Sequence, residues 1–285
     1  MGALGRRVLV AAIGIPLVVG AMYAGGLVLA ILLSACAGVG AWEFHRLAGH
    51  RSAEPLTTIG ILLSASVPLL AHLTWVGLVT APIAAGGGLF VALLVVLLWS
   101  RGPVERPIEG ISITTFAVLY CGATLTFAYA LRHHRFVVDP QAGLVLVLFP
   151  VVLTWLSDTG AYGFGRWLGR TRLMPSVSPG KTVAGTVGGV AVSVVGAWAY
   201  NNYVLQPVAQ LALAPWTALV FGAVVSGVGQ AGDLVESLFK RQAGVKDSST
   251  ILSAHGGVLD RLDSLYVVIP ASYLILSRLL LAAPR

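Results

Sequence analysis

Apolar residues run along this chain in nine long stretches, separated by short polar joints. A helix needs about 20 apolar residues to cross a bilayer. By that ruler the pattern predicts spans at 6–23, 26–43, 57–73, 76–99, 110–131, 142–163, 183–204, 214–236 and 263–282. No fixed-period repeat stands out, and no joint is long and polar enough to form a soluble domain. Small residues let helices approach closely in membranes. "AAGGG" at 84–88 and "GTVGGV" at 185–190 are therefore expected contact points. The first run follows Arg6 and Arg7 and is read as a retained helix rather than a cleaved signal peptide, because a second apolar run comes almost at once. The expected fold is an all-α polytopic membrane protein with about nine transmembrane helices. Residues 1–135 would supply spans one to five, and residues 136–285 spans six to nine with the chemistry.

Composition agrees with lipid as the solvent. Of 285 residues, 57% are hydrophobic and 10% charged, against about 25% charged in a soluble domain. Cys36 and Cys121 sit inside apolar runs and read as small hydrophobes, not as a disulfide or metal pair. Charge then fixes orientation. With the N-terminus in the cytoplasm, 14 of the 18 basic residues fall on the cytoplasmic side, and only Arg132, Arg135, Arg278 and Arg285 fall opposite. The net charge of +7 is thus mostly a topology signal and an attraction to anionic lipids. No basic domain is present to bind nucleic acid.

The acidic residues carry more information. Asp158, Asp233 and Glu236 fall in the last turns of spans six and eight, and Asp260 and Asp263 at the start of span nine. A carboxylate at that depth is costly and points to function. Asp233, Glu236 and Ser237 are spaced i, i+3, i+4 and share a helical face, and Asp260 and Asp263 are also three apart. Carboxylates from two antiparallel helix ends can share a cation. Oxygen ligands without a Cys or a His pair favour Mg²⁺ over Zn²⁺. A second cation fits too, since five carboxylates exceed one ion's needs. Lys181, Lys240, Arg241, Lys246 and Arg261 surround them with positive charge, as a nucleotide triphosphate requires.

Each piece also has a plainer reading. Lys240 and Arg241 serve equally as membrane anchors, and Glu236 as the i+4 partner of Lys240. Asp158 can cap a helix or pair with Arg166. His255 suits a turn, and Gly256 and Gly257 suit either the turn into span nine or an anion-binding backbone. "SPGKT" at 178–182 is no Walker loop: Pro175 stands where the pattern needs glycine, and no buried strand precedes it. What remains is Lys181 as a point charge beside a helix N-terminus.

The run Ser237-Leu-Phe-Lys240-Arg241, then Lys246-Asp247, His255-Gly256-Gly257 and Asp260-Arg261-x-Asp263 resembles the signature of the phosphatidate cytidylyltransferases (CDP-diacylglycerol synthases). "SDTGAYGFGR" and "VSPGKT" resemble upstream segments of that family, in the same order. One departure is Val183-Ala184-Gly185, where the family usually places Glu at the position of Ala184. The resemblance implies transfer of CMP from CTP to phosphatidic acid, giving CDP-diacylglycerol and pyrophosphate, at the cytoplasmic face of the cell membrane. It implies Asp233 and Asp260 as ligands of Mg²⁺, with Asp263 and Glu236 as further ligands or orienters. Lys181, Lys240, Arg241, Lys246 and Arg261 would hold the triphosphate and the lipid phosphate. Ser237, Gly256 and Gly257 would line the substrate site, Asp158 would complete the metal site or fix a basic residue, and His255 would meet the leaving pyrophosphate. Two other readings stay open: a CTP-dependent lipid-alcohol kinase, and an ion or proton transporter. The sequence leaves the oligomeric state open, a homodimer included.

Overall fold

The structure is a computed structural model that describes residues 3–49, 56–100, 106–251 and 256–282, with side chains described from Ala12 onward except Pro82 and Ser100. Helices dominate: α1 (Ala3–Ala24), α2 (Gly26–Ala48), α3 (Thr57–Trp75), α4 (Pro82–Ser100), α5 (Pro107–Arg132), α6 (Pro140–Leu168), α7 (Val183–Ala209), α8 (Pro215–Gln242), α9 (Val258–Leu262) and α10 (Leu265–Leu279). Seven described segments are long and apolar enough to cross a membrane, with α9 and α10 counted as one, and Ala12–Ala24 and Ile83–Trp99 are shorter apolar helices. These occupy the nine predicted positions, and the chain is a multi-pass membrane protein. Large apolar side chains such as Ile83 and Leu98 stay exposed, as a lipid-facing surface requires.

Local chemistry moved some boundaries. The fourth helix starts at Pro82 rather than 76, because Gly77 takes a positive φ of 81° and breaks the run. The sixth starts at Pro140, with Asp139 as N-cap accepting from the Ala142 N–H at 2.7 Å. Two small antiparallel ribbons depart from the all-helical expectation: β1 (Arg172–Met174) with β2 (Ser178–Thr182), and β3 (Leu211–Ala212) with β4 (Leu281–Ala282). "SPGKT" is thus a strand, and it leads directly into α7, where Thr182 caps the Gly185 N–H at 3.1 Å.

The chain forms two compact units. The first holds residues 1–129 and the segment 242–261. Its core includes Phe44 against Phe116, with centroids 5.3 Å apart, and Tyr120. Within α5 the stretch Val118–Ala123 is π-helical, and Gly122 lies there against the Ser64 backbone, where a side chain would collide. Farther along α5, the Tyr129 hydroxyl meets His72 Nδ1 at 2.8 Å.

The second unit holds residues 130–241 and 262–285. Helices α6 and α7 press together through "GTVGGV". A Cβ at Gly188 would overlap the Phe164 ring, and one at Gly189 would stand 2.9 Å from the Ser157 carbonyl oxygen. The other expected glycine contact fails: a Cβ at Gly86, Gly87 or Gly88 would meet nothing within 4 Å. Phe149 packs between Tyr200 and Phe221, at centroid distances of 4.6 and 4.8 Å. Ser193 donates to the Gly222 carbonyl at 2.8 Å and ties α7 to α8.

Candidate functional site

In the second unit a cavity of about 670 Å³ lies among α6, the β1–β2 ribbon, the start of α7 and the C-terminal half of α8. Asp158, Tyr162 and Arg166 line it from α6, Arg172 and Lys181 from the ribbon, and Gln230 and Asp233 from α8. The ribbon explains how Lys181 arrives there. Arg172 donates to the Pro179 carbonyl at 2.6 Å and closes the hairpin, so the lysine leaves the strand just before the capped end of α7. Its ammonium meets Asp233 Oδ2 at 2.8 Å and the Gln230 carbonyl at 3.2 Å.

Behind that pair, α8 is held by a chain of buried polar groups. Gln230 donates through Nε2 to Ser226 Oγ at 2.9 Å and to the Thr186 carbonyl at 3.3 Å, and Ser226 shares a 2.7 Å bond with Ser157. These bonds satisfy groups that would otherwise be costly at membrane depth. Ser237 donates to Asp233 Oδ1 at 3.3 Å from the next turn, as the i, i+4 spacing predicts. Asp233 therefore has a cation on one oxygen and a hydroxyl on the other, and it remains about one-third exposed.

Carboxylates do converge here. Gly232 lies so close to α10 that a Cβ would overlap Val267 and stand 3.0 Å from the Asp263 carbonyl oxygen. This approach brings Asp263 within electrostatic reach of Asp233 and Lys240, while Asp158 faces Asp233 and Lys181. Arg166 turns to the Tyr162 hydroxyl at 3.2 Å. Among the described residues no group of three carboxylate, His or Cys side chains stands ready to hold a metal.

Glu236 and Lys240 take the plainer reading. Glu236 is fully buried and pairs with Lys240 at 2.7 Å. Arg241 donates through Nε to the Val177 carbonyl at 3.2 Å, which fastens α8 to the loop between β1 and β2.

The other predicted site residues belong to the first unit. Lys246 and Arg261 are exposed there. Asp260 folds back on its own loop: Oδ2 accepts from the Ser248 N–H at 2.9 Å, the Ser248 hydroxyl at 2.8 Å and the Gly257 N–H at 2.8 Å. The Gly257 amide is thereby engaged with Asp260, and Gly256 supplies the positive φ of 76° that the turn needs. His255 lies outside the described residues.

One residue escaped the sequence reading. Glu43, near the end of α2, is fully buried and accepts four hydrogen bonds from this same loop. A signal existed: it is an acid inside an apolar span, the criterion that singled out Asp158. The cavity-lining Tyr162, Gln230 and Arg172 were likewise not assigned a role.

Comparison with known proteins places this architecture. Phosphatidate cytidylyltransferases of Staphylococcus saprophyticus and Staphylococcus epidermidis are each 42% identical over 154 residues, 54% of this chain and 54% of the relative. One of Staphylococcus aureus is 40% identical over the same share of both chains. The match thus spans about half the length of these curated relatives. A profile of the Cytidylyltransferase family covers far more, residues 5–279, and the chain belongs to that family.

Proposed function

We propose that this protein transfers CMP from CTP to phosphatidate, forming CDP-diacylglycerol and releasing pyrophosphate. The observation that carries the reading is the cavity of the second unit, where Lys181 pairs with a partly exposed Asp233 beside Arg166 and Arg172. Cationic side chains and carboxylates in one recess suit a polyanion that arrives with a cation. The names of the curated relatives support the same reaction.

A phosphatidate oxygen attacks the α-phosphorus of CTP, a new P–O bond forms, and the bond to the β-phosphate bridging oxygen breaks. The nucleophile is already anionic, so no strong base is needed. The difficulty lies in bringing two anions together, which fixed positive charge relieves. Lys181, Arg166 and Arg172 serve the phosphates. Tyr162 supplies a further hydroxyl, and Gln230 and Ser226 hold α8 in register.

The donor set fits Mg²⁺, which takes hard oxygen ligands and commonly only one or two carboxylates, the rest being water and substrate phosphate. Asp233 and Asp263 would hold it, with Asp158 nearby. When bound, the ion neutralises charge on the transferring phosphoryl group. Glu236 and Lys240 act as a buried brace under Asp233. Asp260, Lys246 and Arg261 enter this reading through the signature alone.

The lipid chains stay in the bilayer and the head reaches the cavity laterally. The asymmetry of basic residues supports a cytoplasmic N-terminus and a site on the cytoplasmic face of the cell membrane.

The test is a membrane assay with α-labelled CTP, phosphatidate and titrated Mg²⁺. CDP-lipid and pyrophosphate are expected in equal amounts. Phosphorylated lipid with CDP would mean a lipid-alcohol kinase, and neither product from folded protein would overturn the reading.

A further inference from the structure

The loop between α8 and α9 carries much of the signature, yet its described backbone is anchored to a residue some 200 positions earlier. Glu43 Oε1 accepts from the Ser249 hydroxyl at 2.5 Å and the Val258 N–H at 3.1 Å. Its Oε2 accepts from the Leu259 N–H at 2.6 Å and the Ser248 hydroxyl at 3.2 Å. All four donors are neutral, and no side-chain cation lies within salt-bridge distance of Glu43 among the described residues. A buried carboxylate persists in such a place only if its acceptor sites are met by donors, and here one loop meets them.

The same loop orients Asp260. Ser248 touches both carboxylates, at 3.2 Å from Glu43 and 2.8 Å from Asp260. Gly257 is wedged between them, and a Cβ there would overlap Ser248 Oγ and Glu43 Oε1. The position of Asp260 thus follows from Ser248 and Gly257, and theirs follows from Glu43.

We propose that Glu43 is a positioning residue for cytidylyl transfer, setting the turn that presents Asp260 and the glycine pair. This rests on the proposed function and adds to it a residue that belongs to no signature run. The charge is essential to the role. Glutamine has the same shape, but its NH₂ would face a hydroxyl or amide donor and replace an acceptor with a second donor. Aspartate keeps the charge but is one methylene short of the four donors.

The full chain in detergent or nanodiscs decides the matter with two readouts. The first, amide hydrogen exchange, needs no activity. In E43Q the Ser248, Val258 and Leu259 amides should exchange about tenfold faster or more, the loss expected for a hydrogen bond to a charged group. Helices of the second unit should be unaffected. The second readout is kinetic. E43Q should lose about tenfold or more in kcat with KM for CTP nearly unchanged, measured well below the variant's own melting temperature, because a misplaced turn impairs the transition state and not substrate capture. S248A should lose less, and E43Q/S248A should lose little more than E43Q, since both act through one contact chain.

If E43Q fails to fold, S248A and S249A decide: a lowered kcat at unchanged KM supports the proposal, and wild-type kinetics in both overturn it. Fast exchange with wild-type kcat also overturns it. If wild-type protein makes no CDP-lipid, the functional reading falls, and with it the role in cytidylyl transfer. The exchange measurement then still reports whether Glu43 clamps the loop.

Discussion

Glu43 and Asp233 are both carboxylates near the ends of apolar helices, and they are held in opposite ways. Glu43 is sealed from solvent and saturated by neutral hydroxyl and backbone donors. Asp233 is about one-third exposed at a cavity and faces the flexible ammonium of Lys181. Neutral donors fixed in a backbone hold one geometry. A lysine on a four-carbon stem can exchange one anion for another. The first arrangement suits a part that must not move, and the second suits a part that meets substrate. Glu236 is an intermediate case, sealed like Glu43 but paired with a cation.

Substitutions sharpen the contrast. The largest effect on turnover is expected from Asp233→Asn. It should lower kcat by roughly 10²–10³-fold, the scale for losing one group that organises transition-state charge, while the protein stays inserted and folded. Activity near wild type in the membrane assay would move Asp233 out of the site. Lys240→Ala should act on stability instead. It removes the ammonium that pairs with the fully buried Glu236 and should cost about 3 kcal/mol, read as a lower melting temperature in detergent. If melting is unchanged but KM for CTP rises, Lys240 serves substrate and the brace assignment fails. Lys181→Ala should have the smallest effect on stability. Its pair is partly exposed, so the change should stay within about 1 kcal/mol. KM for CTP should nevertheless rise by about tenfold, the worth of one charge-assisted contact. An unchanged KM would break the parallel between exposure and substrate contact.

Much of this was legible in the sequence, for a physical reason. Bilayer thickness imposes a length, so nine positions could be read from apolar runs alone. The cost of charge in lipid marked Asp158, Asp233 and Asp263, and the structure brings these three into one field. The i, i+4 rule foresaw both Ser237 on Asp233 and Lys240 on Glu236. What escaped depends on partners without a sequence mark. The donors to Glu43 are two serines and two backbone amides, 205 to 216 positions away, and nothing along the chain pairs them. Glycine misled in the same sense. Small residues permit close approach without compelling it, so 185–190 is a contact and 86–88 is open. The ribbon around Lys181 was also hidden, since "SPGKT" has neither the length nor the alternation of an ordinary strand.

The π-helical stretch Val118–Ala123 leaves α5 with two phases. One residue more than an α-helical count advances everything downstream by about 100°. The stripe that begins at Pro107 and the stripe that ends at Arg132 are two waves out of step, joined at Gly122. A single helical wheel drawn across the whole span would turn Tyr129 away from His72, although the two are in fact bonded. Any comparison of this helix with that of a relative must therefore carry a phase as well as a register.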